Sequence, residues 1–374
     1  MGRVSGPIAA RLAGWRRRRR EERRRRMRVR KVQRRFGVSP RDPETRDYVA
    51  EIDAFWRRHF GRAVDPSWHL AFAKLGLDRD PRFVPSHEWW SEILPFLNDR
   101  SARPVYRDKN LSDVLLDRGR APRTLLKRMR GGYWDGEDRP VSRAEAERRL
   151  VRGPEPLIVK PARADNGIGV RRFDPDGGAL RDGDALLGLA EIEAAWRGDF
   201  IVQERIRQHP SFAAVHPASV NTLRIVTLRF AGELHPLLGF ARFGTGGKVT
   251  DNAATGGLLC RVEDDGRLAD HAVDLDGNAI EKHPDTGYAF SQRLAVPGWP
   301  AFVREALRLH EQIFHFDVVS WDFAVGEDGG PVFLEMNFQG VCEAYQRVGR
   351  RPLFGRFTEG VLEAVRDART RGRR

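Results

Sequence analysis

Cysteine is nearly absent: Cys260 and Cys342 are the only two in 374 residues, and they stand in no metal-ligand spacing. A disulfide framework and a cysteine zinc site are therefore excluded, and the usage suits a reducing cytoplasm. No uninterrupted apolar run reaches the length a spanning helix needs, so a membrane-crossing segment is not expected. A cleaved secretory signal is not expected either, because no apolar segment follows the basic N-terminal stretch. Lysine is scarce too, with arginine supplying 59 of the 66 basic residues. Each of the seven lysines thus becomes worth locating.

Acidic residues are missing mainly at one end. Residues 1–36 hold sixteen Lys and Arg against Glu21 and Glu22, an excess equal to the whole chain's net charge of +14. The remainder is electrically balanced. The arm from Arg16 to Phe36 has too few apolar residues to form a core and is expected to be disordered or helical. Its charges suit anionic lipid headgroups, to which each Lys or Arg contributes about 1 kcal/mol. RNA or DNA would use the same charges, but the balanced body offers no interleaved basic and aromatic face, which argues against nucleic acid. Met27 leaves open a start downstream of most of the arm.

Past the arm the pattern is helical. Tyr48, Ile52, Phe55 and Trp56 recur at three- and four-residue steps within residues 43–60, and segments 87–99, 109–119 and 142–150 continue in the same way. The last opens with Ser142 followed by Glu145, a capping-box spacing. Strands follow over 156–160, 200–206, 221–230 and 234–243, marked by β-branched and aromatic runs between turn residues. A helix is expected over 184–198 and another from Pro300 to Phe314, with proline at its first position. The fold class is α+β, with antiparallel sheets flanked by helices.

Two constellations carry chemistry. Lys160 ends the apolar strand of "LIVKPARADNGIGV", immediately before a loop with Gly167 and Gly169. A compact ammonium there reaches a phosphate oxygen as a point charge, and the glycines let backbone N–H groups approach an anion. Taken alone, a lysine beside an ordinary hairpin loop is equally well explained by packing. "GTGGKVT" (Gly244 to Thr250) fails the phosphate-loop signature because Val249 follows Lys248.

The second constellation is "SWDFAVGEDGGPVFLEMNFQG" (Ser320 to Gly340), two strands around a turn at Asp328-Gly329. With those two residues as the loop, Glu327 faces Gly330 and Asp322 faces Glu335. The period of two places Asn337 on the face of Glu335, while Trp321, Phe323, Leu334 and Met336 turn to the other side. Like charges directly opposite on a hairpin require a compensating cation. Hard oxygen ligands of this kind suit Mg²⁺ or Mn²⁺.

With "FIVQERI", "NTLRIVTL", "RFGTGGKVTDNAATGGL" and "DFAV…VFLEMN" in that order, the chain from Lys109 to the last helix resembles the ATP-grasp superfamily. It is most similar to the sugar-transfer-associated branch, related to α-L-glutamate ligases. The resemblance implies two α+β subdomains whose antiparallel sheets sandwich the nucleotide. Its expected organisation is a basic arm over 1–36, a helical region over 37–104, the nucleotide-binding domain over 105–368 and a basic tail over 369–374. By the same resemblance, Lys109, Lys160, Gly167 and Gly169 hold phosphates, and Gln203 and Glu204 form the hinge at the adenine amino edge. Arg224 and Arg242, with Asn252 beside them, face the γ-phosphate and the developing acyl phosphate, and Asp322, Glu335 and Asn337 hold the metal. Arg224 alternates with Leu223 and Ile225, so it also reads as the solvent-facing member of a strand. His209, His216 and His235 neighbour prolines or strand ends and are read as structural, and Cys342 as a small buried residue.

The activity implied is an ATP- and Mg²⁺-dependent joining of a carboxylate to an amine through an acyl phosphate, in polysaccharide or cell-envelope sugar biosynthesis. Small-molecule acids and amines, sugar-linked in the nearest branch, are the implied substrates. Two alternatives stay open: phosphoryl transfer to a hydroxyl, and a non-enzymatic protein that binds anionic polymers through its arm.

Overall fold

In the computed structural model the described residues are 19, 22–23, 25–151, 155–164, 167–176, 178–248 and 250–372. Residues 1–18, 20, 21 and 24 of the arm and the last two residues of the basic tail lie outside them. The chain divides into two compact units, residues 1–96 with 341–374, and residues 97–340.

The first unit is helical. Arg46–Phe60 buries Tyr48, Ile52, Trp56 and Phe60, the stripe set by their spacing. Ser67–Lys74 follows, then the helical run from Ser86 whose turn Trp89–Ile93 widens to a π-helix. Pro95 supplies no N–H and crowds the carbonyl of Ser91, which accounts for the widening. Helices Cys342–Gly349 and Thr358–Thr370 complete the unit. Cys342 is buried, as expected for a packing residue. Residues 25–36 of the arm are helical: Val32 is buried, Phe36 packs on Trp68 at 5.9 Å and Gln33 bonds Ser67, while Arg26, Arg28, Arg30, Lys31, Arg34 and Arg35 stay exposed.

The second unit contains two antiparallel sheets. The first is built from β1 (Thr124–Met129), β2 (Gly132–Trp134), β3 (Pro140–Val141), β4 (Leu157–Pro161), β5 (Arg171–Asp176), β6 (Ala179–Asp182), β7 (Ala185–Leu187) and β8 (Phe200–Glu204), in the order β3-β2-β1-β8-β4-β5-β6-β7. Helices Arg143–Val151 and Leu189–Ala195 share its core, through Ala146, Leu150, Leu189 and Ile192 against Leu126, Val159 and Val202. Ser142 caps the first of them by accepting from the Glu145 N–H. The helix expected over 184–198 is shorter, because Ala185–Leu187 pairs with β6 as an edge strand before Gly188 starts the helix.

The second sheet contains β9 (Thr222–Phe230), β10 (Glu233–Phe243), β11 (Leu258–Val262), β12 (Ala272–Val273), β13 (Ala279–Ile280), β14 (Val318–Val325) and β15 (Pro331–Asn337), in the order β13-β12-β11-β10-β9-β14-β15. Helix Trp299–Glu311 packs on it through Phe302, Ala306 and Leu309, against a face that includes Ile225, Trp321 and Phe323.

The β14–β15 hairpin corrects one reading. Its loop has three residues, not two: Gly326 pairs with Gly330, and Gly329 takes a φ of 82°, as in a type I turn closed by a left-handed residue. The register next to the turn is therefore displaced by one. A bulge between Asp322 and Phe323 restores it, so Asp322 does face Glu335. The extra residue is Leu334, which leaves the core face to Phe333.

One buried histidine packed against this sheet has both ring nitrogens satisfied. His310 donates from Nε2 to the Phe316 carbonyl and accepts at Nδ1 from the Thr227 hydroxyl, which also accepts from Trp321 Nε1. Burial, aided by Arg229, lowers its pKa from 6.5 to about 4. The unfolded chain therefore takes up this proton first. Stability that is complete above pH 6.5 falls as pH drops towards 4, by roughly 3 kcal/mol. Urea midpoints of the wild type should decline through that window, and His310→Gln should lose that share of the slope; parallel profiles would refute the assignment.

Candidate functional site

Register alone shows which face of the first sheet is free for a ligand. Lys127, Ile201 and Lys160 stand directly opposite one another across β1, β8 and β4, and Ile158 pairs with Gln203 on the same face. Leu126, Val202, Leu157 and Val159 alternate with them into the helix-packed core. Lys160 therefore points away from that core.

Burial, followed by the Lys109 charge and then Arg118, lowers the Lys160 pKa from 10.5 to about 8, against the pull of Glu335. Lys109 opens a 3-10 turn, Lys109–Leu111, that continues as the short helix Ser112–Leu115, so the expected helical segment ends before residue 119. Its N–H bonds the Ala162 carbonyl at 2.9 Å, its ammonium the Ala164 carbonyl at 2.6 Å, and Glu335 Oε2 lies 4.0 Å away. This one lysine touches both the loop after β4 and the last strand of the other sheet. Gly167 and Gly169 adopt φ of 69° and 73°, and a Cβ on Gly169 would stand 2.8 Å from Pro161. The loop thus needs glycine there for both backbone and space.

In the second sheet, Phe240, Arg224, Asp322 and Glu335 form one row across β10, β9, β14 and β15. Arg224 is not a solvent-facing strand residue. It grips Asp322 with two bonds of 2.6 and 2.5 Å, and Arg242 adds a third at 2.9 Å. Burial acts to raise the Asp322 pKa, but the two guanidiniums outweigh it and hold the carboxyl below its ordinary value. Arg242 also reaches Asp251 at 3.1 Å. Asp251 in turn accepts from the N–H and hydroxyl of Thr222, and burial raises its pKa. Asn252 is buried beside it, its carbonyl accepting from Thr255 and Gly257.

Asn337 Nδ2 lies 3.4 Å from Asp322 Oδ2 and 3.3 Å from Glu335 Oε1, so the three expected metal residues do converge. The compensating cations are, in this structure, Arg224 and Arg242 at Asp322 and Lys109 near Glu335. Among the described residues no three His, Cys, Asp or Glu side chains gather for a metal. Two carboxylates and an amide make half a shell of hard oxygen donors, which fits Mg²⁺ completed by phosphate oxygens and water.

At the expected hinge, Gln203 Nε2 donates to Thr124 Oγ1 at 3.2 Å, and its buried Oε1 has no partner among the described residues. The Glu204 N–H bonds the Arg123 carbonyl at 3.0 Å, and its side chain pairs with the Arg123 guanidinium. Three residues escaped sequence reasoning. Arg118 pairs with Asp113 and bears on Lys160, Lys127 is fully buried between Asp113 and Asp138, and Asp251 anchors Arg242. The rarity of lysine could have flagged Lys127; nothing local marks Arg118.

A family model described as sugar-transfer associated ATP-grasp matches residues 90–361. The chain belongs to this family. Its fold is the ATP-grasp fold, and its two antiparallel sheets are those described above. Three of the solved structures to which it is similar are ligases. With VanG D-Ala:D-Ser ligase from Enterococcus faecalis it shares 14% identity and a TM-score of 0.42, covering 72% of this chain and 63% of that one. With the D-alanine–D-alanine ligase of Bacillus anthracis, complexed with ATP, the values are 12%, 0.41, 74% and 70%. With the L-amino acid ligase of Bacillus licheniformis they are 15%, 0.38, 87% and 61%. The chain therefore spans less than two thirds of the first of these, and the family assignment rests on the family model. No curated protein matches the chain.

In this ATP-grasp chain, removing Asp322 would leave the Arg224 and Arg242 guanidiniums facing each other without the carboxylate they share. Asp322→Ala should destabilise the protein by about 3–5 kcal/mol, measured by urea unfolding; a change under about 1 kcal/mol would show that the cluster is not coupled to folding.

Proposed function

We propose that the protein is an ATP- and Mg²⁺-dependent carboxylate–amine ligase working through an acyl phosphate. The observation that carries the reading is the pair of facing charge sets: Lys160, Lys109 and Arg118 beside a glycine loop, and Asp322, Glu335 and Asn337 beside two arginines. The first set holds anionic oxygens. The second is an oxygen face with cations already in place to receive a phosphoryl group.

The chain's own part is positioning and charge neutralisation. Lys160 and Lys109 bind phosphate oxygens, and the N–H groups around Gly167 and Gly169 close over them. Gln203 and Glu204 stand at the adenine edge, where the unpaired Gln203 Oε1 can accept an amino hydrogen. Arg224 and Arg242 would face the γ-phosphate and the developing acyl phosphate and stabilise the oxyanion that forms when the amine attacks, with Asn252 beside them. Asp322, Glu335 and Asn337 would hold Mg²⁺, which neutralises phosphate charge when bound. No side-chain nucleophile is required, and both cysteine thiols are buried with raised pKa values. Sugar-linked acids or amines are the substrates favoured by the family's name, and a cytoplasmic protein with the exposed arginines of residues 25–36 against an anionic membrane surface is the arrangement that fits them. No helix of the described residues is long and apolar enough to cross a membrane.

Hydroxylamine offers a test that does not require the natural amine. With ATP, Mg²⁺ and a panel of sugar acids and amino acids, the enzyme should release phosphate and yield a hydroxamate for the acid it activates. A phosphorylated alcohol without free phosphate would instead establish a phosphotransferase.

A further inference from the structure

Beneath the loop that carries Asp251 and Asn252 lies a cluster that the site does not use: the buried His216, Ser219, Asn221 and His283, with the exposed Asp285 at its edge. The rings of His216 and His283 are buried and pack 5.2 Å apart at an interplanar angle of 32°. The hydrogens in this cluster can be counted.

The Asn221 amide donates to the carbonyls of Phe212 at 2.8 Å and His216 at 2.9 Å, which turns its Oδ1 towards Ser219. The Ser219 hydroxyl donates to that oxygen at 2.9 Å, so its single proton is committed. Ser219 Oγ must then accept from His216 Nδ1, 2.9 Å away. On the other side of the ring, His216 Nε2 stands 3.3 Å from Asp285 Oδ2, a contact that is attractive only with a proton between them. Three contacts need three hydrogens, while a neutral imidazole and a hydroxyl supply two. His283 does not make up the deficit: its Nε2 donates to the Gly244 carbonyl at 2.8 Å and its Nδ1 accepts from the Asp285 N–H at 3.3 Å, which completes its neutral form.

The extra proton is tied to the loop. Asp285 Oδ2 also accepts the Gly246 N–H at 2.6 Å, and His283 holds Gly244. Gly244 approaches so closely that a Cβ would lie 2.6 Å from Ser219 Oγ, 2.9 Å from His216 Nδ1 and 2.9 Å from the Thr250 carbonyl. From there the loop leads to Asp251, which holds Arg242. We propose that His216 is a positioning residue: as an imidazolium paired with Asp285 it pins residues 244–257, and through Asp251 it sets Arg242 at Asp322.

The role assigned to Arg242 rests on the ligase reading, but the pinning does not. The groups facing His216 are Asp285 and His283 from one segment, Ser219 and Asn221 from its own, and the uncharged backbone of Gly244 and Thr250 from the loop. Burial and then His283 work against the charge and outweigh Asp285, which holds the His216 pKa below 6.5. Release withdraws Asp285 while burial and His283 remain, which lowers the pKa further, so the pinned loop binds the proton more tightly than the released loop. It is therefore held at acidic pH and loosens as pH rises through the titration of His216.

Hydrogen exchange of the full chain at pH 5 and 8, expressed as protection factors with β14 peptides as the internal reference, tests this. Peptides covering 244–257 should be protected at least tenfold more at pH 5 in the wild type, and to equal degrees at both pH values in Asp285→Asn. Ring ¹⁵N shifts should show His216 doubly protonated at pH 5. Equal wild-type protection at both pH values, an unchanged pH dependence in Asp285→Asn, or a neutral His216 ring at pH 5 would overturn the proposal. Should Asp285→Asn not fold, His216→Gln takes its place with the same expectations. Neither readout uses a substrate, so failure here leaves the ligase reading standing, and failure to form a hydroxamate leaves the pinning standing.

Discussion

A buried carboxylate beside a second carboxylate is tolerable only where cations meet it, and Asp322 is met by two. Arg224 comes from β9 and Arg242 from β10, while Asp322 itself lies on β14, so one charge cluster fastens three neighbouring strands on the face opposite the apolar core. Asp251 extends the cluster into the loop after β10, and Asn337 and Glu335 extend it to the sheet edge. Lys109, within 4.0 Å of Glu335, carries it to the loop that follows Lys160. Charge balance at Asp322 thus sets the geometry of everything the site would use.

The same balance would let the proposed phosphate-binding site be assembled before any ligand arrives. Lys160 keeps a cation on a half-buried stem at the cost of a lowered pKa, with Lys109 and Arg118 adding to the local positive field. In the proposed reading a polyphosphate would supply the anions this field lacks, and a divalent cation would take over part of the task now performed by the arginines at Asp322. Preorganised charge of this kind is the main resource of an enzyme whose chemistry is phosphoryl and acyl transfer without a protein nucleophile.

Much of the site was legible in the sequence because strands repeat every two residues. That period put Asp322, Glu335 and Asn337 on one face, while Lys160 was marked by its scarcity and its place at the end of an apolar strand before a glycine loop. The hairpin also shows how a correct conclusion can rest on a wrong intermediate step. A three-residue loop displaced the register by one and the bulge at Leu334 returned it, leaving the Asp322–Glu335 pair intact while Leu334 lost its place in the core to Phe333. Strand β1, with its buried Lys127, went unread; its hairpin turns on Arg130 and Gly131, both at positive φ. Arg118 and Asp251 could not be found from local pattern, since their partners are set by the tertiary fold. Likewise, His216 looked merely structural until its hydrogen bonds could be counted.

Calorimetric titration of ATP, with and without Mg²⁺, into the wild type and Glu335→Ala tests the central claim most directly. The account predicts Mg²⁺-dependent binding by the wild type that is lost in Glu335→Ala while its urea midpoint is retained. Well-folded wild type that binds no ATP, or a Glu335→Ala variant that keeps the full magnesium dependence, would contradict it.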